Sequence, residues 1–441
     1  AASLFVVTLF DPFAVMAPGF WLSFGAVALI TYASVHRTGI PSRAMRWVSA
    51  QWALTLGLIP LLLVLFAQVS IVSPIANAFA IPLVSLVVVP LTLLGVLLPV
   101  DFALLAAGWV MSFCTGLLQW LDATPLAVWQ QASPPLWTVA VALLGVSWLL
   151  APRGFPARWM GVMAMVPMFL TVAPAPKQGE AWLDVLDVGQ GLSVVVRTAQ
   201  HTLLFDAGPA YSEESDAGDR VVVPYLRAEG IAKLAGLIVS HDDNDHSGGA
   251  DSVLRMLPVE WMASSLARDH PLNRLAKQPV RCVSGQRWQW DGVGFEMLHP
   301  AAASYDDARI KDNNRSCVLR VSVPGASALI PADIEGPAEA WLLRESAQSL
   351  RSDILIAPHH GSGTSSTEPF LRHVAPKFAV FTNGYRNSFG HPKDEVVQRY
   401  RDLGAKLYRS DQHGAIQFRM NENAIEASAW REQERRYWRG R

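Results

Sequence analysis

Residues 240–249 read SHDDNDHSGG and directly follow the apolar run LAGLIV, residues 234–239. Two histidines, three aspartates and two glycines at the end of a buried-strand pattern are the signature of a metal site on a strand-end turn. Alternating positions on such a turn let His241, Asp243, Asp245 and His246 converge on one cavity. Gly248 and Gly249 allow another backbone to approach closely. A zinc site of the form His-x-His-x-Asp-His has imidazole where this sequence has Asp243. Imidazole suits zinc, whereas carboxylate oxygen suits Mn²⁺ and Mg²⁺. The swap therefore favours Mn²⁺ or Mg²⁺ over Zn²⁺.

Further segments repeat the same logic. AWLDVLDVGQGLSVVVRT (181–198) and HTLLFDAG (201–208) alternate as strands around glycine turns. SALIPADIEG (327–336), DILIAPHHGS (353–362) and FAVFTNGYRNSFGHP (378–392) each follow an apolar strand with acids or histidines, and PKDEVVQRYRDLG (392–404) reads as a helix ending at Gly404. Strands carrying site residues at their carboxyl ends, with helices between, imply a layered α/β domain. Asp333 is expected as a bridging carboxylate, and His359 or His360 as a late imidazole. Two metal ions about 3.5–4 Å apart can clamp the attacking and leaving oxygens of a phosphoryl displacement. Asp187 and Asp206 are expected to support the ligands or stabilise turns, and Asn314, a poor zinc ligand, to cap or hydrogen-bond.

Upstream the composition changes. Residues 1–173 hold five Arg, no Lys and three Asp, leaving 31 Lys+Arg and 34 Asp+Glu for residues 174–441. The overall net charge of −1 says little about partners. Apolar runs at about 13–35, 47–73, 74–100, 103–121, 136–151 and 159–173 read as six membrane spans, several interrupted by Pro60, Pro82 and Pro90. The basic loops HRTGIPSRAMR (36–46) and PRGFPAR (152–158) are separated by four spans, so both can lie in the cytoplasm. The last span would then lead outward, placing the second half outside. APAPKQGE (173–180) reads as a linker. Three cysteines are too few for a disulfide framework, and whether Cys282 and Cys317 pair is left open. The start AASLF, inside an apolar run, reads as the beginning of a fragment. The tail REQERRYWRGR (431–441) combines basic and aromatic residues suited to single-stranded nucleic acid, or is simply solvated.

DVGQG, FDAG, HDDNDHSGG, NNRSCVLRV, PADIEG, APHHGS and GHP occur in this order. The set resembles the metallo-β-lactamase fold, and in particular the C-terminal domain of ComEC-type competence proteins. DPFAVMAPGFWLSFGAVALI (11–30) and SPIANAFAIPLVSLVVVPLTLLGVLLP (73–99) resemble the competence membrane domain of the same family. One departure stands out: the acid that usually follows DVGQG is Leu192 here.

The resemblance implies a polytopic α-helical membrane domain over 1–173, a linker over 174–180, an αββα metallo-β-lactamase-like domain over 181–420 and a basic tail over 421–441. It further implies an inner-membrane channel that takes up transforming DNA as a single strand, with the other strand degraded by a two-metal nuclease. The bilayer, a DNA receptor and a cytoplasmic translocation ATPase are the implied partners. The site would comprise His241, Asp243, Asp245, His246, Asp333, His359 and His360. Asp245 and Asp333 are expected to be catalytic, joined at the site mouth by His391 and by Lys393, which would hold a phosphate. Two other readings compete: a channel with a non-catalytic, DNA-binding hydrolase-like domain, and a membrane-anchored hydrolase of small esters. The intact acid–histidine set counts against the first, and the polytopic membrane half against the second.

Overall fold

The computed structural model describes residues 2–34, 42–98, 101–125, 127–152 and 154–434. His36, Arg37 and Arg153 of the two basic loops, and Tyr437 and Trp438 of the tail, lie outside the described residues. The chain divides into two compact units, Ala1–Ala173 with Arg227–Gly230, and Pro174–Leu226 with Ile231–Arg441.

The first unit is helical. Met45–Phe66, Ser73–Leu97 and Asp101–Asp122 are long and apolar enough to cross a membrane. Pro18–Ser34, Leu136–Leu149 and Met160–Phe169 are apolar but shorter. Fourteen residues of α-helix rise about 21 Å, against roughly 30 Å of hydrocarbon. Among the described residues, three of the six expected spans therefore reach the needed length. The prolines do not all break helices: Pro60 lies inside Arg43–Phe66. Between Pro82 and Pro90 the helix widens into a π turn at Val84–Val88, where the Val89 N–H reaches the Val84 carbonyl. Leu136–Leu149 and Met160–Phe169 cross at Gly145 and Gly161, where a Cβ on Gly145 would stand 2.6 Å from the Gly161 carbonyl oxygen. Only glycine lets the two backbones pass so closely.

The second unit is a four-layer αββα sandwich. One sheet has eight strands and the other seven. Leu183, Val194, Phe205 and Ile238 of the first sheet face Met297, Leu319, Ile330 and Ile356 of the second in a fully buried core. Helices cover both outer faces, with Val222, Leu226 and Val253 on one side and Leu342, Phe370 and Tyr400 on the other. Thr202–Phe205, Leu234–Val239 and Val259–Ser264 run parallel in the first sheet, and Ala326–Ile330, Ile354–Ile356, Phe378–Phe381 and Lys406–Arg409 in the second. Their carboxyl ends supply the loops that carry the site residues.

Two details change the picture drawn from sequence. The domain does not end at 420. Ile425–Ala429 pairs with Ile416–Met420 as the outermost strand, and Trp430–Gln433 forms a helical turn behind it. Arg431 of the expected tail is thereby fixed, donating to Asp187 at 2.9 Å. Cys282 and Cys317 form a buried disulfide that ties the edge of the first sheet to the second.

Candidate metal centre

Each ligand candidate sits two to seven residues beyond a strand end. The backbone bends hard to place them: Asp206, Ala332, His359 and His360 all have φ between 50° and 56°. Left-handed conformations cost energy for non-glycine residues and concentrate where a site demands a particular side-chain direction. Gly191, at φ 141°, brings the DVGQG turn against the Asp245 carbonyl, which accepts from the Leu192 N–H at 3.0 Å. Leu192 itself is core, packed between the sheets.

Four imidazoles have one ring nitrogen tied down and the other aimed inward. Nδ1 of His246 lies 2.7 Å from Asp206. Nδ1 of His241 lies 2.9 Å from the Ser240 hydroxyl, that of His360 3.0 Å from the Thr382 hydroxyl, and that of His359 3.3 Å from the Thr364 hydroxyl. The Ser240 hydroxyl donates to Asp206 at 2.7 Å. It can therefore only accept from His241, which leaves Nε2 of His241 as a bare lone pair. That Nε2 is buried and makes no aligned hydrogen bond, although Asp243 lies 3.3 Å away. An orphaned imidazole nitrogen among carboxylates fits a cation.

The Nε2 atoms meet the carboxylates at the centre. His246 Nε2 is 3.0 Å from Asp333 and 3.2 Å from His360 Nε2. His360 Nε2 is 3.2 Å from Asp245 and 3.6 Å from Asp333, and His359 Nε2 is 3.6 Å from the other Asp333 oxygen. Two overlapping donor groups result, His241–His246–Asp333 and Asp245–His246–His360. His246 belongs to both groups, and Asp333, a member of the first, also lies 3.6 Å from His360 of the second. Of the adjacent pair, His360 is the buried member inside a donor group and His359 the more exposed. Among the described residues, Asp206, Asp243, Asp245 and Asp333 pair with histidines and with no Lys or Arg. So much negative charge at a largely buried point calls for cations.

The field follows the same geometry. Burial pushes the Asp245 carboxyl up, but the His360 hydrogen bond and the His246 imidazole overcome it and hold the group at about 2. Burial likewise opposes ionisation of Asp333, and His246 and His360 pull it well below the usual carboxylate range. Burial disfavours imidazolium at His246, yet Asp333 and Asp206 raise it well above the ordinary value. Asp243 is lowered, first by the adjacent His241 imidazole, against the effect of burial.

The remaining expected residues sit farther out. Asn314 donates to Glu335 at 3.1 Å and accepts from the Glu335 N–H at 3.1 Å, so it clamps Glu335 and lies outside the donor groups. Glu335 reaches 4.0 Å from Nδ1 of His359. Asp187 is held by Arg431, and burial raises its carboxyl despite that partner. His391 faces His359 with ring centroids 6.0 Å apart, and burial, then His359 and His360, lower it to about 4. Lys393 is exposed and its Nζ donates to the Phe389 carbonyl at 2.9 Å, so it is engaged away from the donor groups. Sequence reading missed Ser240, Thr382 and Glu335. Glu335 stands two residues after Asp333 and Ser240 directly before His241, the signals that were available.

The fold and the clustered His/Asp groups define a metallo-β-lactamase domain of the kind that holds divalent metals, and residues 186–381 match the Metallo-beta-lactamase superfamily model. Residues 1–156 match the Competence protein family model. Three curated relatives are similar along nearly the whole chain. They are Competence protein ComA of Neisseria gonorrhoeae (37% identity over 97% of the chain and 59% of the relative), the uncharacterized protein YcaI of Escherichia coli (32%, 98% and 57%) and ComE operon protein 3 of Bacillus subtilis (28%, 95% and 57%). The pairing of the two domains makes the chain a member of the ComEC family of competence proteins. It spans somewhat under three fifths of the length of these relatives.

Proposed function

We propose that the chain takes part in DNA uptake across the inner membrane, and that its sandwich domain is a two-metal phosphodiesterase that degrades the strand not taken in. The observation that carries this reading is the convergence of four inward-facing imidazoles on Asp243, Asp245 and Asp333. Divalent ions bound there supply charge neutralisation and an activated water for attack on a phosphodiester. Asp333 would bridge the two positions, His241 and Asp243 would complete one, and Asp245, His246 and His360 the other. Asp206, Ser240 and Thr382 orient the imidazoles. The mixed nitrogen and oxygen set suits Mn²⁺ better than Mg²⁺, which prefers oxygen alone.

The sandwich domain is read as extracytoplasmic. Disulfides persist in oxidising compartments, and the buried Cys282–Cys317 bond supports that location. The loop-charge argument counts four crossings between the basic loops, and Leu136–Leu149 is the short one, so the disulfide is the stronger support. A DNA receptor and a cytoplasmic ATPase are the partners that this reading calls for.

Separating the two activities in cells tests it. Asp245→Ala should abolish nuclease activity and duplex transformation while partly sparing uptake of single-stranded DNA. Unchanged duplex uptake by a cleavage-dead variant would remove the nuclease from the uptake step.

A further inference from the structure

His241, one member of the donor cluster, lines a cavity of about 260 Å³ that also carries Arg268, Arg281, Arg315 and Tyr305 on its walls. Asp242 and Asp312 also line it, but Asp242 pairs with His270 and Asp312 with Arg315. Among the described residues, Arg268 and Arg281 have no carboxylate partner. The Arg281 guanidinium stands 4.0 Å over the Tyr305 ring, and the Tyr305 hydroxyl donates to the Cys282 carbonyl at 2.8 Å. A stacked guanidinium is pre-organised for phosphate.

Two further hollows adjoin this one in series through shared wall residues. Arg268 and Arg281 also wall a second depression of about 350 Å³ that includes Val280. Val280 borders a third, of about 280 Å³, lined by Trp261, Trp288, Trp290 and Arg287. These three tryptophans are half-buried, with ring centroids 5.6 to 6.0 Å apart. Pro279–Arg281 is the edge strand of the eight-stranded sheet and Arg287–Trp290 that of the seven-stranded sheet. The aromatic cluster therefore packs against the edge of the sandwich core and still presents ring surface to the third hollow, which adjoins the second at Val280.

We infer that these three hollows are the path of one nucleic-acid strand, with phosphates on Arg268 and Arg281 beside the metal centre and unpaired bases against Trp288 and Trp290. Charge complementarity selects a polyanion. Stacking on tryptophan requires bases free of a partner strand, which selects single-stranded over duplex nucleic acid. The path rests on the phosphodiesterase reading, since it delivers a phosphate to that centre.

The test is fluorescence anisotropy of a labelled oligothymidylate on the detergent-solubilised full chain in EDTA, so that no cleavage intrudes. Arg268→Ala with Arg281→Ala, at polar wall positions, should weaken binding at least 10-fold and flatten the salt dependence by about 0.7 per arginine. Photocrosslinking with iodouridine-substituted oligonucleotide should label Trp288 or Trp290, and Trp290→Phe, which keeps an aromatic ring in place, should bind within a few-fold of wild type. Unchanged binding by the arginine pair, crosslinks confined to residues 1–173, or equal affinity for blunt duplex would overturn the path. If binding and crosslinks behave as stated but no metal restores cleavage, the phosphodiesterase reading fails and the path stands. If the arginine pair binds and cleaves like wild type, the path fails and the phosphodiesterase reading stands.

Discussion

Asp206 is fully buried and accepts three short hydrogen bonds, from the Ser240 N–H, the Ser240 hydroxyl and His246 Nδ1, each at 2.7 Å. It thereby sets the tautomer of His246 directly and that of His241 through Ser240. Carboxylates behind metal-bound histidines typically contribute 10- to 100-fold in affinity. Asp206→Asn should weaken Mn²⁺ binding by about that factor with little change in volume, read by isothermal titration calorimetry on the full chain. His299 gives a residue-scale prediction of a different kind. Burial lowers it to about 4, against a backbone hydrogen bond to Ser316 that works the other way. Its folded value lies below its unfolded one, so the unfolded chain binds more protons in that window and stability rises with pH there. The loss should begin as pH falls below 6.5 and be complete below about 4. At 1.36 kcal/mol per unit it should reach at most about 3 kcal/mol. His299→Gln should flatten that part of a thermal-unfolding pH profile. At this scale the convergence of the candidate ligands was legible because each follows an apolar strand. Thr382 was not, since a hydroxyl whose partner, His360, lies 22 residues away leaves no local pattern.

Element by element, the strands and the helix Asp394–Asp402 follow from alternation and from turn residues, and the αββα order of layers from which faces are apolar. Two elements did not. Ile425–Ala429 reads IEASA, polar at alternate places, because an edge strand buries only part of one face. The left-handed pair His359–His360 reads in sequence as an ordinary Pro-His-His-Gly turn, and only the surrounding cluster explains the strain. In the helical unit, apolar runs mark helices well but set their lengths poorly: Leu136–Leu149 and Met160–Phe169 stop short of a membrane's width. The crossing of these two helices yields a prediction. A side chain on Gly161 would collide with the Gly145 carbonyl and with Leu149. Gly161→Val should lower the melting temperature of the detergent-solubilised chain, by a destabilisation of about 1–3 kcal/mol, the usual cost of overpacking. Gly108→Ala, where nothing lies within 4 Å, is the matched control and should leave it unchanged.

For the molecule as a whole, composition alone separated a membrane half from a charged half near residue 173, because burial in lipid and exposure to water select opposite side chains. Orientation was harder to read, since it depends on counting crossings and one of the four helices between the basic loops is short. The disulfide offers an independent check. In intact cells, Cys282 and Cys317 should resist alkylation until a reductant is added, and Cys114 should be the one free cysteine after denaturation. Alkylation of both in freshly denatured, unreduced protein would place the sandwich domain in a reducing compartment. The central claim, hydrolysis of a phosphodiester by this His/Asp cluster, is tested most directly by cleavage of an end-labelled single-stranded oligonucleotide by the purified full chain. In Mn²⁺ the chain should cleave it, in EDTA it should not, and Asp333→Asn should lose at least 100-fold of the rate, in line with the upper range for weaker, indirect changes at metal sites. Intact oligonucleotide with the Mn²⁺-loaded wild-type chain, or undiminished cleavage by Asp333→Asn, would contradict the account.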